Sequence, residues 1–513
     1  MRSQFIDIKD AVEADREKFI LRAETAAAEL IAWTIEMGRG EPLHRLEGEL
    51  FRRLMAFGCT LVTLWWFHRC ETVVPRLLVR GPARFVYFGR SNGDVRTRFG
   101  ALWLKRPVYE RVSGSGPKFV APDDQRMGLA AGRMSLGVHL LTAWLVAQMT
   151  FDGAVAVLGR LSGYAPSKRS SLGIADSLGP VAAEFLEDLP TPDDDGEVLV
   201  ISFDDKAAPM IRASAHEKRC RPHQKRGLGA PRRKGRALKR KANPRPRKKK
   251  GDKTKNGRSA KVAVVYSLGR LPDGTMEGPI NKRIFATFGA RSTLVARVLK
   301  DATQRGFPEK RTIFLADGAT TLWDIHRQHF SQATPCLDWF HLSEYLWAAG
   351  GAVHKEGSKA LAAWVRARQG ELRAGDVDSV NQALEAARKK IGASGPGTKG
   401  RRKRVHEALR YLRNHREMLP YAKLLADGLD IGTGVMEGAV KHAVAARLDG
   451  SGMQWSPRRA ESVLALRLVL VNGLWSDFEK HAIQRHEDSD AWVVPRITPK
   501  GKQDIDPACL EAA

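Results

Sequence analysis

A buried strand that ends on an acid is predicted by the short apolar run Glu197-Val198-Leu199-Val200-Ile201-Ser202-Phe203-Asp204. A second such run, Arg311-Thr312-Ile313-Phe314-Leu315-Ala316, is followed directly by Asp317. In an α/β sheet, functional side chains gather beyond the carboxyl ends of the central strands. We therefore expect the two aspartates at the same edge of one sheet.

A third acid, Glu437, opens a helical stretch after Gly432-Thr433-Gly434. The first turn of a helix favours a negative group, and Val440 and Val444 share the face of Glu437, so we expect its carboxylate to point toward the body of the protein. Two carboxylates at strand ends and one at a helix start suit a pair of Mg²⁺ ions in phosphoryl displacement. A turn or cap role is the alternative for each acid.

Two further positions bear on this set. Asp205 competes with Asp204 as a ligand, because adjacent residues of a strand point to opposite faces; Asp204 is favoured since it continues the face of Val198 and Val200. The segment Leu337-Asp338-Trp339-Phe340-His341 places Asp338 and His341 three residues apart after a short strand. They can orient a DNA end or support the metal site, or simply begin a capped helix.

The charge balance points to a polyanionic partner. The 513 residues suffice for two to four domains, and Lys+Arg 85 against Asp+Glu 57 gives +28, which favours nucleic acid over an acidic membrane surface. Residues 218–261 hold 21 Lys/Arg and one acid, and so carry +20 of that charge. With almost no apolar residue, this basic loop is expected to be disordered without DNA and to contact phosphates. Its expected contacts include Arg245, Arg247, Lys248, Lys249 and Lys250.

Cysteine usage and apolar runs bear on location. The five cysteines form no C-x-x-C pair and are odd in number, which is typical of a reducing compartment. No apolar run reaches the roughly 18–20 residues that span a bilayer, and the N-terminus lacks a signal core. These features predict a cytoplasmic, nucleoid-associated protein without a membrane partner.

Residues 150–179 predict a helix–turn–helix. A capping threonine or serine precedes each helix, and Gly179-Pro180 is expected to end the second. Lys168 and Arg169 lie in the first turn of that second helix, where a recognition helix meets DNA. An ordinary αα-hairpin has the same pattern and stays open as the alternative.

The order of elements predicts an α/β protein. Helices are expected over 1–60 and 126–150, with short strands between them and a hairpin turn at Asn92-Gly93. After an acidic linker the pattern is β, basic loop, β, β, α, β, α, β and then helices, which suits a mixed five-stranded sheet with helices on its faces. The expected strands are 197–204, 260–268, 282–288, 311–317 and 334–338.

These features divide the chain into six parts. They are an N-terminal helical and β region (1–125), the helix–turn–helix region (126–189), the first part of the catalytic core with the basic loop (190–344), a helical insertion (345–430), the last part of the core with C-terminal helices (431–486) and a flexible tail (487–513).

Four segments together resemble the ISKra-type insertion-sequence transposases, which are related to ISL-type and Mutator-like DDE transposases. They are Phe203-Asp204-Asp205-Lys206, Ala316-Asp317-Gly318-Ala319, the segment from Leu337 to His341, and Gly434-Val435-Met436-Glu437. The run from Arg447 to Trp455, with its Gly-Ser-Gly-Met-Gln-Trp ending, is similar to the same family. The resemblance covers roughly 80–480, and departs from the usual Asp-Gly at Asp204-Asp205.

The resemblance implies an RNase H-like catalytic domain in which Asp204, Asp317 and Glu437 hold two Mg²⁺ (or Mn²⁺) ions for DNA cleavage and strand transfer at inverted-repeat ends. It marks Asp338 and His341 as the family's C/D-x-x-H element, and implies a dimer or larger assembly on double-stranded DNA.

Two residues of the C-terminal run, Arg447 and Trp455, are expected to contact DNA. Trp455 can stack on a flipped or unpaired base, or pack at a helix start. A silent DNA-binding protein and an RNase H-like nuclease without strand transfer are the alternative functions.

Overall fold

The computed structural model describes most of the chain. The described residues are 5–37, 40, 42–130, 133–211, 257–392, 394–395 and 397–487, with the backbone of two short strands at 496–497 and 503–504. The basic loop as far as residue 256, with Arg245, Arg247, Lys248, Lys249 and Lys250, lies outside them, as does most of the predicted tail. The chain forms two compact units, one with residues up to Val181 and Trp475–Glu487, the other with Ala182–Leu474.

The first unit begins with a helical hairpin, as the N-terminal pattern predicts. Strand β1 (Phe5–Asp7) precedes helices α1 (Lys9–Met37) and α2 (Leu43–Arg69). The end of α2 buries Trp66 and Phe67 against apolar residues of a small sheet. β1 pairs with β2 (Val73–Pro75) in a separate two-stranded sheet. The small sheet and its connections comprise β3 (Leu77–Arg80), β4 (Ala83–Arg96), β5 (Ala101–Ser113), β6 (Phe119–Val120), α3 (Asp123–Arg126), β7 (Leu129–Ala130) and β8 (Met134–Ser135).

The predicted turn at Asn92-Gly93 is wrong. β4 runs through both residues, which pair with Lys105 and Leu104 of β5, and the chain reverses instead between Thr97 and Gly100. The guanidinium of Arg106 occupies the space beside Gly93 that a Cβ would take. The long-range pairing of two strands therefore outweighs the local turn preference.

The rest of the first unit is helical, with α4 (Leu136–Gln148), α5 (Phe151–Leu161), α6 (Lys168–Phe185) and α17 (Trp475–Glu487). The helix pair α5–α6 is present where it is predicted: Thr150 Oγ1 accepts a hydrogen bond from Gly153 N and Ser167 Oγ from Ser170 N, both 3.1 Å. α6 does not end at Gly179-Pro180, because the buried positions continue past Pro180 and packing outweighs one lost backbone hydrogen bond.

The second unit is built on a mixed five-stranded sheet, and this prediction is confirmed. Its strands run in the order β11-β10-β9-β12-β13, with β9, β10 and β11 antiparallel and β9, β12 and β13 parallel. The chain is thus an α/β protein. The strands are β9 (Val198–Pro209), β10 (Gly257–Arg270), β11 (Met276–Thr287), β12 (Thr312–Ala316) and β13 (Thr334–Leu337).

Three strands are longer than predicted: β9, β10 and β11, the last of which begins at Met276 and not at residue 282. β9 continues five residues beyond Asp204 because β10 pairs with it as far as Gly257↔Pro209. Residues 257–261, which belong to the predicted basic loop, are therefore the start of β10. Asp204 lies inside β9, at the level where its other neighbour, β12, ends.

Helices cover the sheet and fill the predicted insertion. They are α7 (Arg291–Gln304), α8 (Thr320–His329), α9 (Trp339–Gly350), α10 (Lys359–Arg373), α11 (Val377–Lys390), α12 (Thr398–Asn414), α13 (Tyr421–Ala426), α14 (Gly434–Val440), α15 (Ala446–Leu448) and α16 (Pro457–Val471). The segment 345–430 is helical, as predicted. None of the helices in the described ranges combines the length and the apolar character that a membrane span requires.

An ion network fixes the start of the second unit. Asp195, in the predicted linker, is one-tenth exposed and accepts from Arg305 at 2.7 Å and Lys310 at 2.9 Å. The fully buried Arg305 also lies 3.5 Å from Asp301. Burial alone would raise the pKa of Asp195, but hydrogen bonds from Arg305, Lys310 and Ser267 outweigh it and hold the pKa well below its usual range.

Replacing Asp195 by asparagine should destabilise the second unit by about 3–5 kcal/mol at pH 7, because it leaves the buried guanidinium of Arg305 short of a counter-charge. A carboxyl with a lowered folded-state pKa stabilises the fold above its unfolded pKa of about 3.9, and this contribution fades as the pH falls toward the lower folded value. The stability gap between wild type and Asp195→Asn should therefore narrow below about pH 4. Calorimetric unfolding across pH measures it.

The matched control is Asp193→Asn, since Asp193 is an exposed residue of the same linker. It should unfold at the wild-type temperature. Equal stability of Asp195→Asn and wild type at pH 7 would contradict the structural role of the network.

Candidate active site

Two of the predicted acids lie side by side because of the strand register. Leu199–Ser202 of β9 pair in parallel with Thr312–Leu315 of β12. The same register, continued by two residues, sets Asp204 beside Asp317, on the same face of neighbouring strands. The two carboxylates are close enough to repel each other, since the charge of Asp317 adds to burial in raising the pKa of Asp204.

Asp338 continues this row of aspartates, but both of its carboxylate oxygens already accept hydrogen bonds from other groups of the protein. Ala316 pairs with Leu337, so Asp338 follows β13 at the level where Asp317 follows β12. Its side chain is fully buried: Oδ2 accepts from His341 N at 2.9 Å and His341 Nδ1 at 2.6 Å, and Oδ1 accepts from Thr433 N at 2.8 Å. Asp338 thus caps α9 and holds the residue that precedes α14.

His341 is a cation at this edge. Its hydrogen bond to Asp338, helped by the charges of Asp338, Asp317 and Glu344 and opposed by burial, raises the pKa of His341 to about 9. Burial pushes the pKa of Asp338 upward, but its hydrogen bonds from His341 and Thr433 outweigh burial, so the pKa of that carboxyl is lowered. The imidazolium is 47% exposed and retains Nε2–H as a donor toward solvent or a ligand.

Excess negative charge accumulates at Asp204. Burial, and then repulsion by Asp317 and Asp205, raises the pKa of Asp204, while the Asp205 N–H that donates to Oδ1 at 2.6 Å and the nearby His341 oppose this. Asp317 Oδ1 accepts from Ala319 N at 2.8 Å. A cation bound between the two carboxylates would relieve the repulsion.

The rival ligand, Asp205, is engaged elsewhere. It is exposed and accepts from Arg291 at 2.6 Å, whereas Asp204 and Asp317 share a face of the sheet. The geometry therefore favours Asp204 over Asp205 beside Asp317.

Glu437 approaches the site from a helix. It lies in the first turn of α14, its N–H donates to Thr433 O at 2.9 Å, and α14 packs against β9 and β10. The expectation that its carboxylate points into the body is wrong, because the side chain is exposed. The buried stripe of α14 consists of Met436, Ala439 and Val440, and a π-helical turn at Lys441–Ala445 shifts the later residues away from the expected face.

The carboxylates do not form a preformed metal cage. Across the described parts of the chain, no three His, Cys, Asp or Glu side chains are grouped so that they could hold a metal ion. Mg²⁺, however, usually binds one or two carboxylates and completes its shell with water and substrate phosphates. The pair Asp204 and Asp317, with the raised pKa of Asp204, fits such an ion.

Arg447 and Trp455 are not positioned to contact DNA, and that prediction is wrong for this structure. They are 1% and 5% exposed, and the Arg447 guanidinium lies 5.1 Å from the indole centroid. Trp455 Nε1 donates to Leu448 O at 2.8 Å, and its backbone extends the end of β9 through Pro209 and Ile211. Packing, the alternative role of Trp455, is what the structure shows.

The structure also reveals a cleft that sequence reasoning missed. It has a volume of about 870 Å³, adjoins Asp317 and His341, and is lined by the side chains of Trp323, Tyr345 and Tyr411 among others. A Cβ on Gly318 would lie 2.2 Å from the Tyr411 ring, so the glycine that follows Asp317 admits the helical insertion to the site. Gly318 is the feature of the sequence that could have indicated this cleft.

Neither the protein-family models nor the curated proteins gave a match to this chain. The residues and distances above therefore carry the assignment of a function to the site.

Asp338→Asn should lower the pKa of His341 from about 9 toward its ordinary value, because the amide removes the negative charge and weakens the hydrogen bond. NMR titration of the His341 ring in metal-free buffer measures this pKa. A drop of at least about one pH unit is expected.

Glu344→Gln serves as the control, since Glu344 acts on His341 through charge alone and as the last of the causes. It should shift the pKa of His341 far less. A wild-type His341 that titrates near neutrality, or one that ignores Asp338→Asn, would contradict the described coupling.

Proposed function

We propose that this chain is a DDE transposase of the ISKra type, which cleaves DNA strands at transposon inverted-repeat ends and joins them to target DNA. The observation that carries the proposal is the register that sets Asp204 beside Asp317, with the helix of Glu437 packed on the same sheet. We interpret the mixed five-stranded sheet, interrupted by helices before Glu437, as an RNase H-like domain.

The three acids have separate tasks in this proposal. Paired Mg²⁺ or Mn²⁺ ions, when bound, stabilise the attacking and leaving oxygens of phosphoryl displacement. Asp204 and Asp317 hold them at the sheet edge. Glu437 supplies the third carboxylate; because its side chain is exposed, it turns toward the strand ends without loss of core packing.

His341 and Asp338 orient the DNA in this proposal. The protonated ring beside Asp317 donates from Nε2 to a phosphate oxygen, and the buried Asp338 fixes the ring through Nδ1. Asp338 is therefore a positioning residue: it acts through His341 and through the backbone of Thr433.

The remaining basic residues support DNA binding. Lys168 and Arg169 are exposed in the first turn of α6, which makes the helix pair α5–α6 a candidate helix–turn–helix, although Lys168 also pairs with Asp152. The charge of +28 favours phosphate contacts that weaken steeply with salt. Two transposon ends require at least two copies of the chain, so we propose a homodimer or larger assembly at the nucleoid.

A DNA-binding protein without catalysis is the second candidate. The exposed side chain of Glu437 and the missing three-ligand group within the described ranges favour it. The two candidates differ in whether a strand is broken and joined.

Asp204→Asn, Asp317→Asn and Glu437→Gln should each reduce DNA cleavage and strand transfer by at least about 100-fold, because each removes a carboxylate from the ion-binding edge. Binding to the same DNA should change little. The assay uses purified protein, Mg²⁺ or Mn²⁺, and the DNA that flanks the gene of this protein, with products resolved on denaturing gels.

Asp205→Asn is the matched control, since its carboxylate pairs with Arg291, and it should retain most of the activity. Hydrolysis without joined products would point to a nuclease. Intact wild-type protein that binds these ends and yields no product would favour the binding-only candidate.

A further inference from the structure

The cleft beside Asp317 has a continuous aromatic wall. Tyr345 and Tyr411 stack with ring centroids 4.1 Å apart at 20°, and His415 follows 4.6 Å from Tyr411. Trp323 continues the wall 6.4 Å from His415. Tyr411 is backed by Gly318, while Tyr345 is partly exposed at the mouth. This wall extends from α8 across α12 to α9.

The wall carries two buried polar groups without a hydrogen-bond partner among the described residues, the indole N–H of Trp323 and the hydroxyl of Tyr411. Trp323 is 2% exposed, and its indole N–H meets no acceptor among the described residues. A buried N–H without an acceptor costs free energy, so its presence in the lining of an open cleft points to a ligand that accepts a hydrogen bond.

The rim of the cleft carries three cations beside two acids, Asp317 and Glu407, and Glu407 pairs with Lys403 at 3.7 Å. Arg410 is exposed and forms no ion pair with any side chain in the described ranges, and His341 is protonated at neutral pH. Arg327 adds a third cation, paired with the exposed Asp324. The cleft thus combines flat aromatic faces and a buried donor with positive charge at its mouth.

We propose that this cleft binds one unpaired nucleobase of the DNA strand that is processed at Asp317. A nucleobase offers a π face to Tyr345, acceptor atoms to the Trp323 N–H and an attached phosphate to the rim cations. A base within a duplex has both faces covered by its neighbours and cannot enter. The inference rests on the proposed function, because that function brings a DNA strand to Asp317.

From the sequence, Trp455 was one candidate to stack on an unpaired base; we assign that role to this cleft instead. Trp455 is buried under Arg447 and offers no open face. Tyr345 and Tyr411 are both partly exposed in the cleft, and Tyr345 lies on α9, the helix that Asp338 caps.

The test compares binding of two labelled DNA duplexes to the full-length chain in EDTA, so that no chemistry occurs. One duplex is fully paired, and the other has the same sequence with one extrahelical adenine. Stacking of a base is worth about 1–3 kcal/mol, so wild type should bind the second duplex at least about five-fold tighter. Tyr345→Leu should abolish this preference, and Trp323→Phe should reduce it.

Two variants serve as controls. Tyr345→Phe keeps the ring and should keep the preference, whereas Trp347→Leu removes an exposed aromatic residue of the same helix that does not line the cleft. Thermal unfolding of each variant confirms that it is folded. A preference that survives in Tyr345→Leu, or that Trp347→Leu abolishes equally, overturns the proposal.

Free deoxyadenosine monophosphate separates a DNA base from a free nucleotide. At equal base concentration it should compete weakly, because it lacks the flanking backbone; equal competition would overturn the assignment to DNA. The result is also independent of catalysis. If the protein joins DNA strands but shows no preference for the extrahelical base, only the proposed base pocket is contradicted. If it shows the preference but yields no strand product, only the proposed chemistry is contradicted.

Discussion

Parallel pairing of β9 with β12 is the constraint on which the site depends. The two strands are buried throughout Val198–Phe203 and Thr312–Ala316, and a slip of one residue would move every side chain to the opposite face. The register that buries these apolar residues is the one that aligns Asp204 with Asp317. Core packing therefore holds the two like charges together. The hydrophobic free energy of burying both strands, and not a local ion pair between them, offsets the repulsion of the two carboxylates.

A single buried carboxylate connects the rest of the site to this row. Asp338 caps the start of α9 by accepting a hydrogen bond from His341 N. It also accepts from Thr433 N, and so holds the start of α14, the helix that carries Glu437. Its backbone N–H also donates to Ala316 O at the end of β12. The helical insertion between α9 and α14 can therefore vary without moving either helix start. The same insertion supplies Tyr411 and His415 to the aromatic wall of the cleft, so the element that interrupts the core also shapes the site.

Local patterns predicted the strands and the two aspartates, because apolar runs and turn residues act over a few positions. They failed where distant partners decide. β9 continues beyond Asp204 because β10 pairs with it. Asn92-Gly93 lies within β4 because β5 pairs with that strand through both residues. Arg447 and Trp455 are buried together in a cation–π contact that local residue spacing does not predict. Glu437 is exposed although Val440, which was predicted to share its face, is buried with Met436 and Ala439.

We propose that the sheet edge, with the start of α14, holds paired divalent ions. Iron-induced cleavage of the protein backbone tests it most directly: Fe²⁺ replaces Mg²⁺ in the DNA-bound chain, and ascorbate and peroxide generate hydroxyl radicals that cut the backbone near the metal. We expect cuts clustered at three places, near Asp204, Asp317 and Glu437, which excess Mg²⁺ suppresses. Cuts that spare the ends of β9 and β12, or that leave the region of Glu437 intact, would contradict it.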